Sequence, residues 1–169
     1  MTKRARLVVE ERRMLKLDIP GYGALALEHL VLDVNGTIAG GGELLPGVAE
    51  GLAALAGVLT PIAITADTHG TAASLGERLG IEVHVIASGW EAGDKLAVVQ
   101  DLGADAVVAI GNGANDALVL KACAVGICVI GPEGASRAAL EAADVVVPSI
   151  EVALQLLADP RRLMATLRT

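Results

Sequence analysis

Short apolar runs alternating with helix-length amphipathic stretches constrain this chain more than any other feature. The runs cover residues 29–34, 61–64, 81–86, 106–110, 125–130 and 145–147; the stretches between and after them cover 47–56, 71–79, 95–102, 114–121, 135–142 and 152–157. A nearly continuous apolar strand must be covered on both faces, and parallel strands need a crossover of about this length. The pattern predicts an α/β fold, a doubly wound parallel sheet of Rossmann-like type. Upstream, Leu15, Leu17 and Ile19 alternate with polar residues, and a second alternating run comes after Pro20-Gly21, which reads as a β-hairpin. The expected organisation is one domain: a basic segment 1–13, a hairpin 14–28, a core 29–158 and a helix in 159–169.

Composition removes several function classes. Mean hydropathy is +0.59, yet the longest apolar stretch, 117–130, is interrupted by Lys121 and Gly126 and falls short of the roughly 20 residues a span needs. No membrane partner is expected. Residues 1–16 are rich in Arg and Glu without an apolar centre, so no secretory leader is expected and the location inferred is cytoplasmic. Cys123 and Cys128 fit reduced core residues better than a disulfide. The net charge is −7, although residues 1–16 hold six of the 13 basic residues and only two of the 20 acidic ones. So acidic a body argues against a nucleic-acid partner. The basic start reads as an interaction arm or as a solvated tail leading into a strand.

In such sheets the site lies beyond the carboxyl ends of the strands. The polar residues just past each apolar run are therefore the informative ones. They are Asp33-Val34-Asn35-Gly36-Thr37, then Thr65-Ala66-Asp67, then Gly93-Asp94-Lys95 opening a helix, then Gly111-Asn112-Gly113-Ala114-Asn115-Asp116. Singly, each has a plain structural reading: a βα turn at Asn35-Gly36, helix caps at Thr65, Asp67 and Asn115-Asp116, a solvated lysine at Lys95. Their order along the chain carries more than any one of them.

Together these segments resemble the four motifs of the haloacid dehalogenase-like superfamily. Within it, the chain is most similar to the phosphorylation domain of P-type ATPases and their soluble stand-alone relatives. Thr65-Ala66-Asp67 resembles the ATPases' Thr-Gly-Asp, and Gly111 to Asp116 resembles their Gly-Asp-Gly-x-Asn-Asp. The resemblance spans about 30–147 and implies an aspartyl-phosphate mechanism. Asp33 matches the nucleophile. Lys95 matches the cation that offsets repulsion between carboxylate and phosphate. Mg²⁺ is implied as cofactor, held by Asp33, the Asn35 carbonyl, Asn112 and water, with Asp116 orienting either metal-bound water or Lys95. The Thr65 hydroxyl, together with Gly36, Thr37, Ala66 and Lys95, is implied in binding the phosphoryl group. Asp67 and Asn115 stand behind them as supporting residues.

Two positions depart from the family's phosphatases. The acid–base Asp two residues past the nucleophile is Asn35 here, and an amide can neither donate nor accept that proton; such assistance is typically worth about 10²–10⁴-fold. Asn112 replaces the first Asp of the fourth motif and removes one negative charge from the metal set. Slow phosphohydrolysis of a phosphorylated small molecule or protein is the expected function. A non-catalytic or regulatory module, or a phosphotransfer subunit completed by a partner, is the alternative. The gaps 38–46 and 87–94 are too short for a cap domain, so the site is expected to be open or covered by a second copy. A homo-oligomer is therefore expected, with the hairpin as the candidate contact. His29 and His84 read as structural. His69 reads as helix entry or a substrate contact, and Trp90 as a shaper of the pocket mouth or a cover over the core.

Overall fold

The computed structural model describes residues 13–67 and 70–169. Strands β1 (Leu15–Ile19) and β2 (Gly23–Leu27) form an antiparallel hairpin, and β3 (His29–Asp33) begins after one further residue. A two-strand ribbon, β4 (Ala39–Gly40) and β5 (Glu43–Leu44), leads to α1 (Val48–Leu55). The rest alternates: β6 (Thr60–Thr65), α2 (Ala72–Leu79), β7 (Glu82–Val85), α3 (Glu91–Leu102), β8 (Val107–Gly111), α4 (Ala117–Ala122), β9 (Val125–Val129), α5 (Arg137–Ala142), β10 (Val145–Val147), α6 (Ile150–Ala158) and α7 (Pro160–Leu167). The ribbon β4–β5 has no counterpart in the apolar pattern, because two-residue strands are too short to show alternation.

Six strands make the parallel sheet, in the order β10-β9-β8-β3-β6-β7. From β3 the chain builds outward through β6 and β7, then crosses back to add β8, β9 and β10 on the other side. That reversal opens a crevice at the carboxyl ends of β3 and β8. Side chains alternate between two aliphatic cores. Leu30, Leu32, Val108 and Ile110 face α1, α2, α6 and α7, while Val31, Ile64 and Ala109 face α3, α4 and α5. The small residues tighten this packing, since a side chain at Gly126 would run into the backbone of Leu120 in α4.

The hairpin seals the opposite, amino end of the sheet. Leu15, Leu17, Ile19 and Leu27 are buried in the first core, β1 packs on α7, and the Tyr22 hydroxyl donates to the Ala124 carbonyl. The backbone N–H of Thr169 donates to the Pro20 carbonyl. Its apolar residues are thus covered by its own chain, at the end of the sheet away from Asp33. Helix α3 also starts four residues earlier than the pattern suggests, which puts Lys95 inside the helix rather than at its opening. Gly93 obscures that start by breaking the helical pattern. His29 lies at the amino end, with Nδ1 buried and without a hydrogen-bond partner. His84 bonds Glu82 on the edge strand. His69 and residues 1–12 of the basic segment lie outside the described residues. No helix among the described residues is long and apolar enough to cross a membrane.

Candidate active site

The strand register sets the site. Asp33 ends β3 level with Ile64 of β6, and Leu32 is level with Ile110 of β8. Thr65 and Asn112 therefore emerge beside Asp33 at the same rim. Among the described residues, the buried polar and charged side chains are Thr37, Thr65, Lys95, Asn112 and Asp116. All five belong to this one cluster. Burying polar groups costs several kcal/mol unless they are paired, so their concentration here marks where the fold gives up stability for something other than packing.

Lys95 is the hub. Its Nζ lies 2.5 Å from Asp33 Oδ1 and 2.7 Å from Asp116 Oδ1, with its side chain only 4% exposed and that of Asp33 only 11%. Burial alone would favour the neutral amine, but the two carboxylates outweigh it and raise the Lys95 pKa above the ordinary value. Burial, reinforced by the Asp116 charge, pushes the Asp33 carboxyl up to about 6, against the pull of Lys95 and Thr37. Carboxylate and ammonium thus balance each other in a desolvated pair.

Asp116 is fully committed. One oxygen takes Lys95; the other accepts the backbone N–H groups of Asn112 (3.0 Å) and Gly113 (2.8 Å). Gly111 permits this, since a Cβ there would collide with the Asp116 carboxylate. Of the two roles left open for Asp116, its contacts match the orienting of Lys95. Asn115 donates to Glu91 Oε2 at 2.7 Å and so ties the fourth motif to the start of α3.

On the other side of Asp33, the Thr37 hydroxyl sits 3.1 Å from Asp33 Oδ2 and 3.3 Å from Asn112 Oδ1. The Asn112 amide is oriented by donating to the Gly134 carbonyl at 3.0 Å. A carboxylate oxygen and an amide oxygen therefore converge on one point, an all-oxygen arrangement that suits a hard dication. No group of three or more His, Cys, Asp or Glu side chains that could hold a metal occurs among the described residues. The available donors are one carboxylate, one side-chain amide, backbone carbonyl and water.

The phosphate-binding expectation needs a correction at Gly36 and Thr37. Their backbone N–H groups donate to the carbonyls of Ala39 (2.7 Å) and Val34 (3.2 Å), closing the turn rather than facing outward. The reason is the β4–β5 ribbon, which brings Ala39 back beside Asn35. Gly36 has φ of +82°, and a side chain there would strike the Asn112 amide and the Glu133 carboxylate. At the end of β6, the Thr65 Oγ accepts the Asp67 N–H at 3.0 Å, which leaves the hydroxyl proton to donate. Asp67, at φ +49°, also accepts the N–H groups of Thr71 and Ala72 and so caps α2. Asn35, Thr65, Asp67 and Leu75 line a small cleft beside Asp33. Ala66, between Thr65 and Asp67, is half-buried. Cys123 and Cys128 are free and buried, and burial pushes the Cys123 thiol up to about 12.

Sequence reasoning misses Gly134, Glu133 and Glu91. The first two come just after β9, so the rule of inspecting the residues past each apolar run, applied once more, finds them. Glu91 carries no such signal, because its surroundings read as loop.

The chain is similar to known proteins in sequence and in fold. The family model of haloacid dehalogenase-like hydrolases matches residues 1–124, a span holding Asp33, Thr65, Lys95, Asn112 and Asp116. An uncharacterized protein of Methanocaldococcus jannaschii is 52% identical over 62 residues, covering 37% of this chain and 67% of that protein. Among solved structures, 3-deoxy-D-manno-octulosonate 8-phosphate phosphatase of Moraxella catarrhalis, in complex with magnesium ion, phosphate ion and its KDO molecule, superposes with a TM-score of 0.62 at 18% identity. That match covers 84% of this chain and 94% of the phosphatase. A zinc-transporting PIB-type ATPase in its E2·Pi state gives 0.60 at 27% identity, over 72% of this chain but only 20% of the ATPase.

Proposed function

The chain belongs to the haloacid dehalogenase-like hydrolases, and from that membership we propose that it is a slow, Mg²⁺-dependent phosphohydrolase working through an aspartyl-phosphate on Asp33. The observation that carries this reading is the buried Asp33–Lys95–Asp116 chain at the carboxyl end of the sheet. A structural salt bridge has no reason to sit at the crevice with its carboxylate at the rim.

Each residue has its own part in the reaction. One Asp33 oxygen attacks phosphorus, and the bond from phosphorus to the leaving-group oxygen breaks. Lys95, held by Asp116, keeps Asp33 ionised and offsets the negative charge of the incoming phosphate. The Thr65 hydroxyl donates to a phosphoryl oxygen. Asp33, Asn112 and the Asn35 carbonyl would hold Mg²⁺, which when bound supplies positive charge to the transferring phosphoryl group. Asn35 has no proton to give the leaving oxygen and cannot take one from water, so solvent must do both. Hydrolysis of the phosphoenzyme then frees Asp33 and inorganic phosphate. The substrate in this reading is a phosphorylated small molecule or protein.

Labelling with acetyl phosphate and Mg²⁺ tests this reading, because its good leaving group needs little acid assistance. The expected result is a covalent phosphate on the fresh wild-type chain, absent in Asp33→Asn and cleared about 10²–10⁴-fold faster in Asn35→Asp. Intact mass must accompany the assay, because Asn35-Gly36 and Asn112-Gly113 are prone to deamidation. No labelling, together with retained phosphate binding, would make the chain a phosphate-binding module instead.

A further inference from the structure

Asp33, Asp116, Asp67 and Glu91 all have partners at the rim. The first two hold Lys95, Asp67 caps α2, and Glu91 takes the Asn115 amide. Lys95 cancels one of the two buried charges it touches, so a single net negative charge is left there for a dication. The amide at Asn112 adds none. Glu133 differs: it is exposed, and its carboxylate has neither an ion-pair nor a hydrogen-bond partner among the described residues.

That carboxylate is nonetheless held beside the site. Gly131-Pro132-Glu133-Gly134 is a tight turn after β9, closed by the Gly134 N–H donating to the Gly131 carbonyl at 3.3 Å. Both ends of the turn are fixed. Gly131, at φ +45°, lies so near the Asn35-Gly36 turn that a Cβ on it would stand 2.7 Å from the Gly36 carbonyl oxygen. At the other end the Gly134 carbonyl accepts the Asn112 side-chain amide at 3.0 Å, and the Ser136 N–H donates to the Asn112 carbonyl at 2.8 Å. Between these anchors Glu133 reaches over Gly36. A Cβ on Gly36 would lie 2.8 Å from Glu133 Oε2, 2.6 Å from Asn112 Nδ2 and 3.0 Å from Asn112 Oδ1. The Glu133 carboxylate and the Asn112 amide therefore converge on the space of one missing Cβ, next to the peptide that carries the Asn35 carbonyl.

We propose that Glu133 supplies the negative charge that Asn112 leaves out, strengthening Mg²⁺ binding at the Asp33 site as a charge standing beside the ligands. This rests on the Mg²⁺-dependent phosphohydrolase reading of that site. A carboxylate that no other group neutralises keeps its full charge for the ion. In exposed surroundings the attraction of a unit charge for a dication a few ångströms away amounts to about 3- to 10-fold in affinity. Carried on a solvated turn, the charge avoids the desolvation cost that a further carboxylate buried beside Asp33 would bring. Glu133 is thus a positioning residue for the cation, and it acts through the field rather than through a bond.

Mg²⁺ alone is titrated by calorimetry into the full chain and into Glu133→Gln, Glu133→Asp and Asp33→Asn. Loss of binding in Asp33→Asn identifies the ion measured as the one at this site. Glu133→Gln should weaken Mg²⁺ about 3- to 10-fold at low salt, and Glu133→Asp should keep most of the wild-type affinity. The deficit of Glu133→Gln should shrink toward nothing in about 1 M KCl, where screening acts within about 3 Å. Metal-free Tm should not move, since the side chain makes no bond of its own. Equal affinity in wild type and Glu133→Gln overturns the proposal and leaves the phosphohydrolase reading standing. A deficit that ignores salt, or that Glu133→Asp shares together with a lowered metal-free Tm, also overturns it and makes Glu133 a support of the turn. A Glu133→Gln deficit that persists with Asp33→Asn in the background overturns it too, because the ion would then sit elsewhere. Absence of Mg²⁺ binding by the wild-type chain removes the metal from the phosphohydrolase reading and the proposal with it.

Discussion

The two ends of the same six strands are built on opposite terms. At the amino end, the hairpin closes the sheet with Leu15, Leu17, Ile19 and Leu27, and the cost of ordering it is met by apolar burial. At the carboxyl end, a buried lysine, two carboxylates and an amide stand where side chains of the same volume could have packed as hydrocarbon. A desolvated charge cluster of this kind adds little net stability but fixes geometry. Stability and chemistry in this fold are therefore separable along the strand axis.

Lys95→Met should strain that separation most. It leaves Asp33 and Asp116 buried without a counter-charge, so a loss of about 3–5 kcal/mol is expected in chemical denaturation, together with loss of acetyl-phosphate labelling. Leu27→Ala, at the other end, should cost about 2–5 kcal/mol through the cavity it leaves, yet label at the wild-type rate. If Leu27→Ala also lost labelling, the two ends would be coupled.

The ionisation of Asp33 gives a subtler test. Its carboxyl is raised from 3.8 to about 6 in the folded chain, so the folded state holds that proton more tightly than the unfolded one. The resulting contribution is complete below about pH 4 and is lost as pH rises through about 6. Without metal, Asp33→Asn should therefore gain on wild type as pH rises, by up to about 2–3 kcal/mol. Melting in chelator at pH 5 and pH 7.5 reads the gap, and a gap independent of pH would mean that Lys95 neutralises Asp33 completely. The smallest effect is expected of Asn112→Asp. It loses the bond to the Gly134 carbonyl and sets two oxygens against each other, so metal-free stability should fall by about 1–2 kcal/mol. Mg²⁺ should nonetheless bind more tightly, since a full charge replaces a dipole. Calorimetry that found no gain would remove residue 112 from the metal set.

Much of the fold is legible from local pattern. The parallel strands announce themselves because burial on both faces leaves unbroken aliphatic runs, and Val145–Val147 matches to the residue. Asp33, Thr65, Lys95, Asn112 and Asp116 are legible because a doubly wound sheet brings every strand's carboxyl end to one rim. The polar residues immediately past the apolar runs must then share a site. The start of α3 is not legible, since Gly93 breaks the helical pattern and only the packing of Trp90 over it shows why it is tolerated.

Local sequence is thus enough to set a doubly wound parallel sheet and the identity of the residues at its rim, both consequences of hydrophobic period and chain direction. How those residues are used is settled only in the folded packing. Asp116 grips Lys95 through one oxygen and the Asn112-Gly113 backbone through the other. The Gly36 and Thr37 amides close a turn instead of facing a phosphate, and a carbonyl from the loop after β9 sets the rotation of Asn112. The hairpin turns Leu15, Leu17, Ile19 and Leu27 inward to plug the amino end. Each of these depends on contacts between segments distant in sequence, where hydrogen-bond direction and the space left by a missing Cβ choose among partners that local pattern cannot rank.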